Sequence, residues 1–434
     1  MTHPAIKSKS VFLLLLAVTG LGFGTALAGC SSGGGEGSGS GGKGSGGNAS
    51  GGATHSGGVT GSGGALGSGG RTGIGGGAGS GGANASGGAT DAGGAGNGSG
   101  GAAASGGASG GSSGGGGTSG WSCPPASSLT GAPFTGTTVA AARIMGAPPA
   151  DAFNNMGNDF TNVEGPVWIG DSLYFSEYKT TEVPPARILR IAPGDVTTEF
   201  IADSGSNGLA TDGKGNILSA NHKAHGIVRF TIPDKTATTL VSTANGKPLN
   251  SPNDLAVAGD GTIYFTDPSH QNGANPQGGT RAYQWKAGDA SATAITDYMQ
   301  QPNGIALTLD DQTLILGGQS GVKKYAITSG MVAMTGASFG PTEVTQSGVN
   351  ADGMTMDCAG NLYVAVAGGT TVYVVKPDGS KLGTITLPSG GGQANVTNVG
   401  FGGADHKTLY VTAQGAGKGQ GVFKIQLSVP GRPY

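Results

Sequence analysis

Six times after residue 120 the chain repeats one phrase. A carboxylate or carboxamide residue, usually followed by glycine, leads into a short apolar stretch, a glycine-containing turn and an apolar strand. The copies open at Glu164, Asn207, Asn253, Asn303, Asp352 and Asn398, with intervals of 43, 46, 50, 49 and 46 residues. Glu164-Gly165-Pro166-Val167-Trp168 runs into Leu173-Tyr174-Phe175, and Asp352-Gly353-Met354 into Leu362-Tyr363-Val364. Repeats of this length with several short strands each mark the blades of a β-propeller. Hairpin-type turns such as Asp260-Gly261 and Asp378-Gly379 divide the strands. No segment sustains a 3.6-residue apolar period, so helices are minor. The expectation is an all-β, six-bladed propeller over residues 121–434. Its ring must be closed, and the extended stretch 138–144 is placed to pair with the last blade around 422–428.

Composition separates the rest of the chain from this repeat. Of 92 glycines in 434 residues, 44 fall between positions 31 and 120. That stretch is Gly, Ser and Ala with four charged residues and almost no large apolar side chain. It cannot bury enough surface to offset the entropy of ordering, so it reads as a disordered Gly/Ser-rich tether with an r.m.s. span of roughly 50 Å. Its glycines lack the strict three-residue period of collagen. Beyond residue 120, 19 cationic residues face 23 acidic ones, the wrong sign for tracking phosphates, so no nucleic-acid partner is expected.

Residues 1–29 read as an export signal: Lys7 and Lys9 precede an apolar run too short to be retained as a spanning helix. The signal ends Leu27-Ala28-Gly29-Cys30, which resembles the lipobox of bacterial lipoproteins. That resemblance implies a diacylglyceryl group on Cys30, a tether over 30–120 and a lipid-anchored head in the cell envelope. Ser31 after the cysteine favours the outer membrane; whether the head faces the periplasm or the cell surface stays open. With Cys30 lipidated, Cys123 and Cys358 form an even pair in an exported protein, which suggests a disulfide. The head is expected to be monomeric.

Equivalent positions in a propeller take equivalent places around its axis. All six lead residues carry side-chain oxygens, so the repeat predicts a ring of oxygen donors near the channel mouth. Calcium takes about 6–8 such ligands and tolerates irregular geometry, whereas a ring without Cys or His argues against structural zinc. At any single blade, Asn or Asp capping a turn would account for the residue; six of six favours a site.

At these residues the chain resembles the gluconolactonase/regucalcin (senescence marker protein) family of six-bladed propellers. The matching phrases are Glu164-Gly-Pro-Val-Trp168, Ser251-Pro-Asn-Asp254, Tyr264-Phe-Thr-Asp-Pro268, Pro302-Asn-Gly-Ile-Ala306, Asp352-Gly-Met354 and Asn398-Val-Gly-Phe-Gly-Gly403. The resemblance implies a divalent metal on the axis, usually Ca²⁺, held by Glu164, Asn303 and Asp352. Asn253 then contacts the metal or the substrate, and Asn207 and Asn398 stand behind them or face the substrate. Members of the family hydrolyse lactones, and some relatives cleave organophosphates. Where regucalcin-type members carry Arg two residues before the third-blade Asn, this chain has Ser251, the form of the bacterial gluconolactonase branch.

A cation on the axis would polarise a lactone carbonyl. Asp352 is the expected base and Glu164 mainly a ligand. His222 falls where some gluconolactonases carry His and is a substrate-binding candidate, while Asp267 and His270 are placed to line the rim. No Gly-x-Ser-x-Gly elbow in a strand–turn–helix context supports a serine hydrolase. The leading reading is thus a Ca²⁺-dependent hydrolase of a small-molecule lactone or ester. The alternatives are an esterase or phosphotriesterase on the same fold, and a non-catalytic binding propeller.

Overall fold

Short β-rich runs, cut every few residues by Gly or Asp turns, can satisfy their backbone only by pairing with their sequence neighbours. The structure, a computed structural model, describes residues 121–129, 131–144, 162–179, 186–271, 275–388, 394–415 and 420–433. The predicted signal, Cys30 and the glycine-rich stretch lie outside them. Each repeat forms one antiparallel sheet, and the six sheets are the blades of a propeller.

Blade 1 comprises Asn162–Ile169, Ser172–Tyr178, Ala186–Ala192 and Val196–Ile201. Blade 2 comprises Ser206–Thr211, Ile217–Asn221, Gly226–Phe230 and Ala237–Val241. Blade 3 comprises Leu255–Val257, Ile263–Asp267, Arg281–Trp285 and Thr293–Ala294. Blade 4 runs Pro302–Leu307, Thr313–Gly318 and Lys323–Thr328, with Met331–Val332 and Ala337–Ser338 sharing its outer edge. Blade 5 is Ala351–Met356, Leu362–Val366, Thr371–Val375 and Lys381–Thr386. Blade 6 is Ala394–Gly402, Thr408–Gly415 and Gly421–Gln426. Helix among the described residues is confined to the single turns Ala126–Ser128 and Thr342–Thr345.

Each pair of neighbouring blades encloses its own apolar layer. Leu218, Ile227 and Leu255, Phe265, Tyr283 fill the space between blades 2 and 3. Tyr363, Val372 and Phe401, Val411, Phe423 fill that between blades 5 and 6. Buried side chains of this kind contribute about 1.5–3 kcal/mol each. The ring is therefore stabilised only if every wedge is filled, including the one between the last blade and the first.

That last wedge is closed by the segment preceding blade 1, in a different way from the expectation. Only Ala142–Arg143 pair with blade 6, antiparallel to Lys424 and Phe423, and Ile144 N–H bonds to the Val422 carbonyl at 2.8 Å. Ile144 then packs against Val163, Phe175 and Tyr410, bridging blades 6 and 1. Thr138–Ala140 instead add a parallel strand to blade 5, opposite Thr384–Thr386. The buried Ala141 is where the segment changes sheets, its N–H still bonded to the Thr386 carbonyl. Blade 5 offers an open outer edge and blade 6 lacks a fourth strand, so one extended segment satisfies both.

Cys123 and Cys358 are joined in a disulfide, tying the chain ahead of this segment to the turn after the inner strand of blade 5. Nearby, Trp121 stacks on His406, ring centroids 4.5 Å apart. The C-terminal segment crosses the same face: Cys358 N–H reaches the Pro430 carbonyl, Gly431 N–H that of His406, and Arg432 N–H that of Met356. Arg432 ends in an ion pair with Asp311. Because the lead residues open the inner strands and these turns close them, this is the face opposite the lead residues.

Breaking the bridge releases a 235-residue separation from its constraint and is expected to cost about 2–5 kcal/mol. Cys358→Ser should melt at the temperature of reduced wild type, and reductant should lower the melting temperature of the wild-type protein alone.

Candidate functional site

Where the inner strands meet the axis, neighbouring sheets approach too closely for a side chain on both. A Cβ on Gly304 would fall on the Asp352 carbonyl, and one on Gly353 on the Asn398 carboxamide. Gly165 and Gly208 face the lead residues of blades 2 and 3 in the same manner. The glycine after a lead residue is thus the space in which the next blade's lead residue sits. Hydroxyls close the backbone gaps between sheets: Ser176 Oγ donates to the Asn207 carbonyl at 2.6 Å, Thr266 Oγ1 to that of Asn303 at 2.6 Å, and Thr397 Oγ1 to that of Val163 at 2.7 Å. Pairing also shifts at the lead residues, between Glu164 and Val167, Ser206 and Leu209, Pro302 and Ile305, Ala351 and Met354, and Val396 and Asn398. Such bulges re-aim side chains.

All six lead residues are buried, from 1 % exposure at Asn207 to 7 % at Asp352. The structure thus buries every lead position, and it adds one acid: Asp254, 5 % exposed, occupies blade 3 where four other blades carry glycine. Its Oδ1 accepts Leu255 N–H at 2.9 Å, and its Oδ2 takes the Asn398 amide at 3.4 Å. Asn398 also bonds to Glu164, and its own Oδ1 accepts Val399 N–H at 2.8 Å. Its amide therefore ties two carboxylates together, which puts it behind the ring's acids, one of the two roles expected for it.

All three acids have their proton affinity raised, first by burial, and the charge of Glu164 adds to the rise at Asp254 and Asp352. Burial pushes Glu164 up to about 7, against hydrogen bonds from Asn398 and Gly165 N–H. Burial pushes Asp352 well above the carboxylate range, and the charges of Glu164 and Asp254 push it further; bonds from Gly353 N–H and the Asn303 side chain pull the other way. Asp254 is raised by burial and by Glu164. Desolvated carboxylates this close are costly without a compensating charge. Asn303 Oδ1 is buried with no hydrogen-bond partner among the described residues, and so is Asn207 Oδ1. Among the described residues no three His, Cys, Asp or Glu side chains are gathered as a metal site. The donor set is instead mixed, Glu164 and Asp352 with carboxamide oxygens. That set suits a hard cation with oxygen ligands.

Around the ring, the flanking candidates separate. His222 is 2 % exposed; its Nε2 lies 3.0 Å from Asn207 Nδ2, and Tyr178 packs edge-on against its ring. Burial, with His270 and His225 adding positive charge, lowers its pKa to about 3, so the ring stays neutral. His270 is exposed on the loop after blade 3's second strand. Asp267 does not line the rim as expected. It is fully buried and holds Asn250 N–H at 2.9 Å and Ser251 N–H at 2.7 Å, fixing the loop that presents Asn253 and Asp254. Gln277 supports the approach to that loop, its Nε2 bonding the Ala244, Lys247 and Pro248 carbonyls. Ser251 Oγ is buried without a partner among the described residues. A cavity continues along the axis from Asp254 and Asn398, past Leu209, Ile305 and Met354, to Arg432 and Pro433.

Asp254 was not a predicted site residue. Its signal was present, an acid in the position that glycine holds elsewhere in the repeat, but only the packing shows why it matters.

Several known proteins are similar to this chain. A gluconolactonase from Zymomonas mobilis is 27 % identical over 288 residues, covering 59 % of this chain and 78 % of its own. A pentonolactonase from Haloferax volcanii is 29 % identical over 161 residues, 33 % of this chain and 54 % of that protein. The structure of a gluconolactonase from Xanthomonas campestris superposes with a TM-score of 0.53 at 26 % identity, covering 68 % of this chain and 99 % of that one. A calcium-binding regucalcin from Agrobacterium tumefaciens superposes with a TM-score of 0.53 at 16 % identity over 69 % of this chain and 97 % of its own, a likeness of fold. Residues 163–415 match the SMP-30/Gluconolactonase/LRE-like region, and the chain belongs to that family.

Proposed function

We propose that this protein is a Ca²⁺-dependent lactonase of the cell envelope, hydrolysing a small hydroxylated lactone of the gluconolactone type. The observation that carries the reading is the axial donor set: Glu164 and Asp352, both buried with raised proton affinity, and a buried Asn303 oxygen with no hydrogen-bond partner among the described residues. The lactonases among the relatives favour the same substrate class. Glu164, Asn303, Asp352 and Asn253 would hold the cation, which when bound supplies Lewis-acid polarisation of the carbonyl and compensation of the oxyanion's charge.

The chain's own residues then divide the work. Asp352 is the base. Its carboxylate is oriented by Gly353 N–H and the Asn303 side chain, and it takes a proton from the water that adds to the lactone carbonyl. Collapse of the tetrahedral adduct breaks the ring C–O bond, and the same proton passes from Asp352 to the departing alkoxide. The products are a hydroxyl and a carboxylic acid in one chain. Asn253, held by the Asp267-clamped loop, and the Nδ1–H of neutral His222 offer hydrogen bonds to substrate hydroxyls. Arg432 and Pro433 line the far end of the axial cavity, and substrate is expected to enter from the lead-residue side.

Asp352→Asn is expected to lower kcat/KM for gluconolactone by about 10²–10⁴ with an unchanged circular-dichroism spectrum. Chelation should abolish wild-type turnover and Ca²⁺ restore it. Chelator-insensitive turnover would sink the metal dependence, and no turnover of any lactone by folded, Ca²⁺-loaded protein would sink the activity.

The acids also set a pH dependence. Each has a higher pKa folded and cation-free than unfolded, so its stabilising contribution is complete below the unfolded value of 4.5 or 3.8 and is lost as pH rises, for Glu164 through about 7. Cation-free protein should melt at a lower temperature at pH 8 than at pH 5.5. Excess Ca²⁺ should remove most of that difference.

The lipobox-like Leu27-Ala28-Gly29-Cys30 supports acylation of Cys30. In a bacterial host, wild type should label with fatty acid and sediment with membranes, while Cys30→Ala should do neither.

A further inference from the structure

The carboxamides of the ring are not equivalent. Asn303 has its amide nitrogen engaged by Asp352 and its Oδ1 without a partner among the described residues, whereas Asn398 has its Oδ1 taken by Val399 N–H. Asn207 follows the Asn303 pattern with a different holder. Its Nδ2 faces His222 Nε2 at 3.0 Å, and its Oδ1 is buried with no partner among the described residues. An amide nitrogen only donates, so Nε2 accepts and the ring proton sits on Nδ1. A carboxamide has two orientations related by a half-turn, and this contact selects the one that turns the oxygen away from the imidazole. The imidazole is itself fixed: its backbone N–H bonds to the Gly205 carbonyl at 2.9 Å, Tyr178 packs on its ring, and it is 2 % exposed. The Asn207 backbone is fixed by Ser176.

We propose that His222 is a positioning residue that locks the Asn207 carboxamide with Oδ1 toward the axis, making Asn207 a further oxygen donor to the axial cation. The inference rests on the reading that the axis binds a divalent cation. It gives the second blade the role that Asp352 gives Asn303 in the fourth, and it explains a fully buried histidine next to a ring otherwise built of oxygen donors.

The test is Ca²⁺ binding by calorimetry on the full chain, with thermal melts alongside. His222→Leu removes the acceptor and should weaken Ca²⁺ binding by about 10–100-fold, the usual cost of losing such an outer partner. His222→Gln restores an acceptor oxygen and should keep most of the affinity. The deciding variant is His222→Leu combined with Asn207→Asp: a carboxylate presents an oxygen in either orientation, so the double variant should recover the binding lost in His222→Leu. A histidine with a merely structural role would not be rescued in this way. Wild-type affinity in folded His222→Leu overturns the inference and leaves the proposed function standing. Failure of the double variant to recover, while Asn207→Asp alone binds Ca²⁺, overturns it too. Should His222→Leu not fold, Asn207→Ala decides: undiminished Ca²⁺ affinity refutes a donor role for Asn207. Absence of Ca²⁺ binding in wild type removes both this inference and the metal-dependent reading.

Discussion

Everything at the centre of this molecule follows from how closely six inner strands approach one axis. Two neighbouring sheets cannot both carry side chains there, and the chain resolves the conflict by alternation. Glycine after a lead residue makes room for the next lead residue, as Gly353 does for Asn398 and Gly304 for the Asp352 backbone. The arrangement removes the lead side chains from water together. A polar group buried alone at such a place would be destabilising by several kcal/mol unless bonded, so the surrounding hydroxyls of Ser176, Thr266 and Thr397 act as much on folding as on function.

Electrostatics then turns a packing solution into a site. Burial raises the proton affinity of Glu164, Asp254 and Asp352, and the charge of Glu164 raises the two aspartates further, because desolvation and like charge act in the same direction. A cation reverses that balance, and a proton relieves it only at lower pH. The carboxamides supply oxygens without adding charge, which is why the ring holds four of them beside two lead acids. Support comes from outside the ring: Asp267 clamps the third-blade loop by two backbone N–H groups, and Gln277 braces the chain leading into it.

Much of this was legible in the repeat. The lead positions, the number of blades and the oxygen-only character of the ring all follow from a pattern recurring at near-constant spacing. Interactions between repeats were not. The Asp254–Asn398 contact joins residues 144 positions apart, and no local pattern encodes which blades face each other across a channel. Asp267, read as a rim residue from its place after a strand, is instead a buried clamp, because its side chain turns into the preceding loop. The closing segment was correctly read as extended, but its division between blades 5 and 6 depends on which edges the finished ring leaves unpaired.

The sequence by itself determined the elements: strand, turn and lead residue are local consequences of side-chain alternation, turn chemistry and glycine placement. It also determined that one end of each inner strand would carry an oxygen. Only the tertiary structure decided which oxygens are left without partners among the described residues. Asn398 Oδ1 is consumed by its own strand, while Asn207 and Asn303 keep theirs because His222 and Asp352 engage the amide nitrogens. Identical residue types at equivalent positions thus take different roles, since a carboxamide's orientation is set by whatever neighbour the fold packs against it.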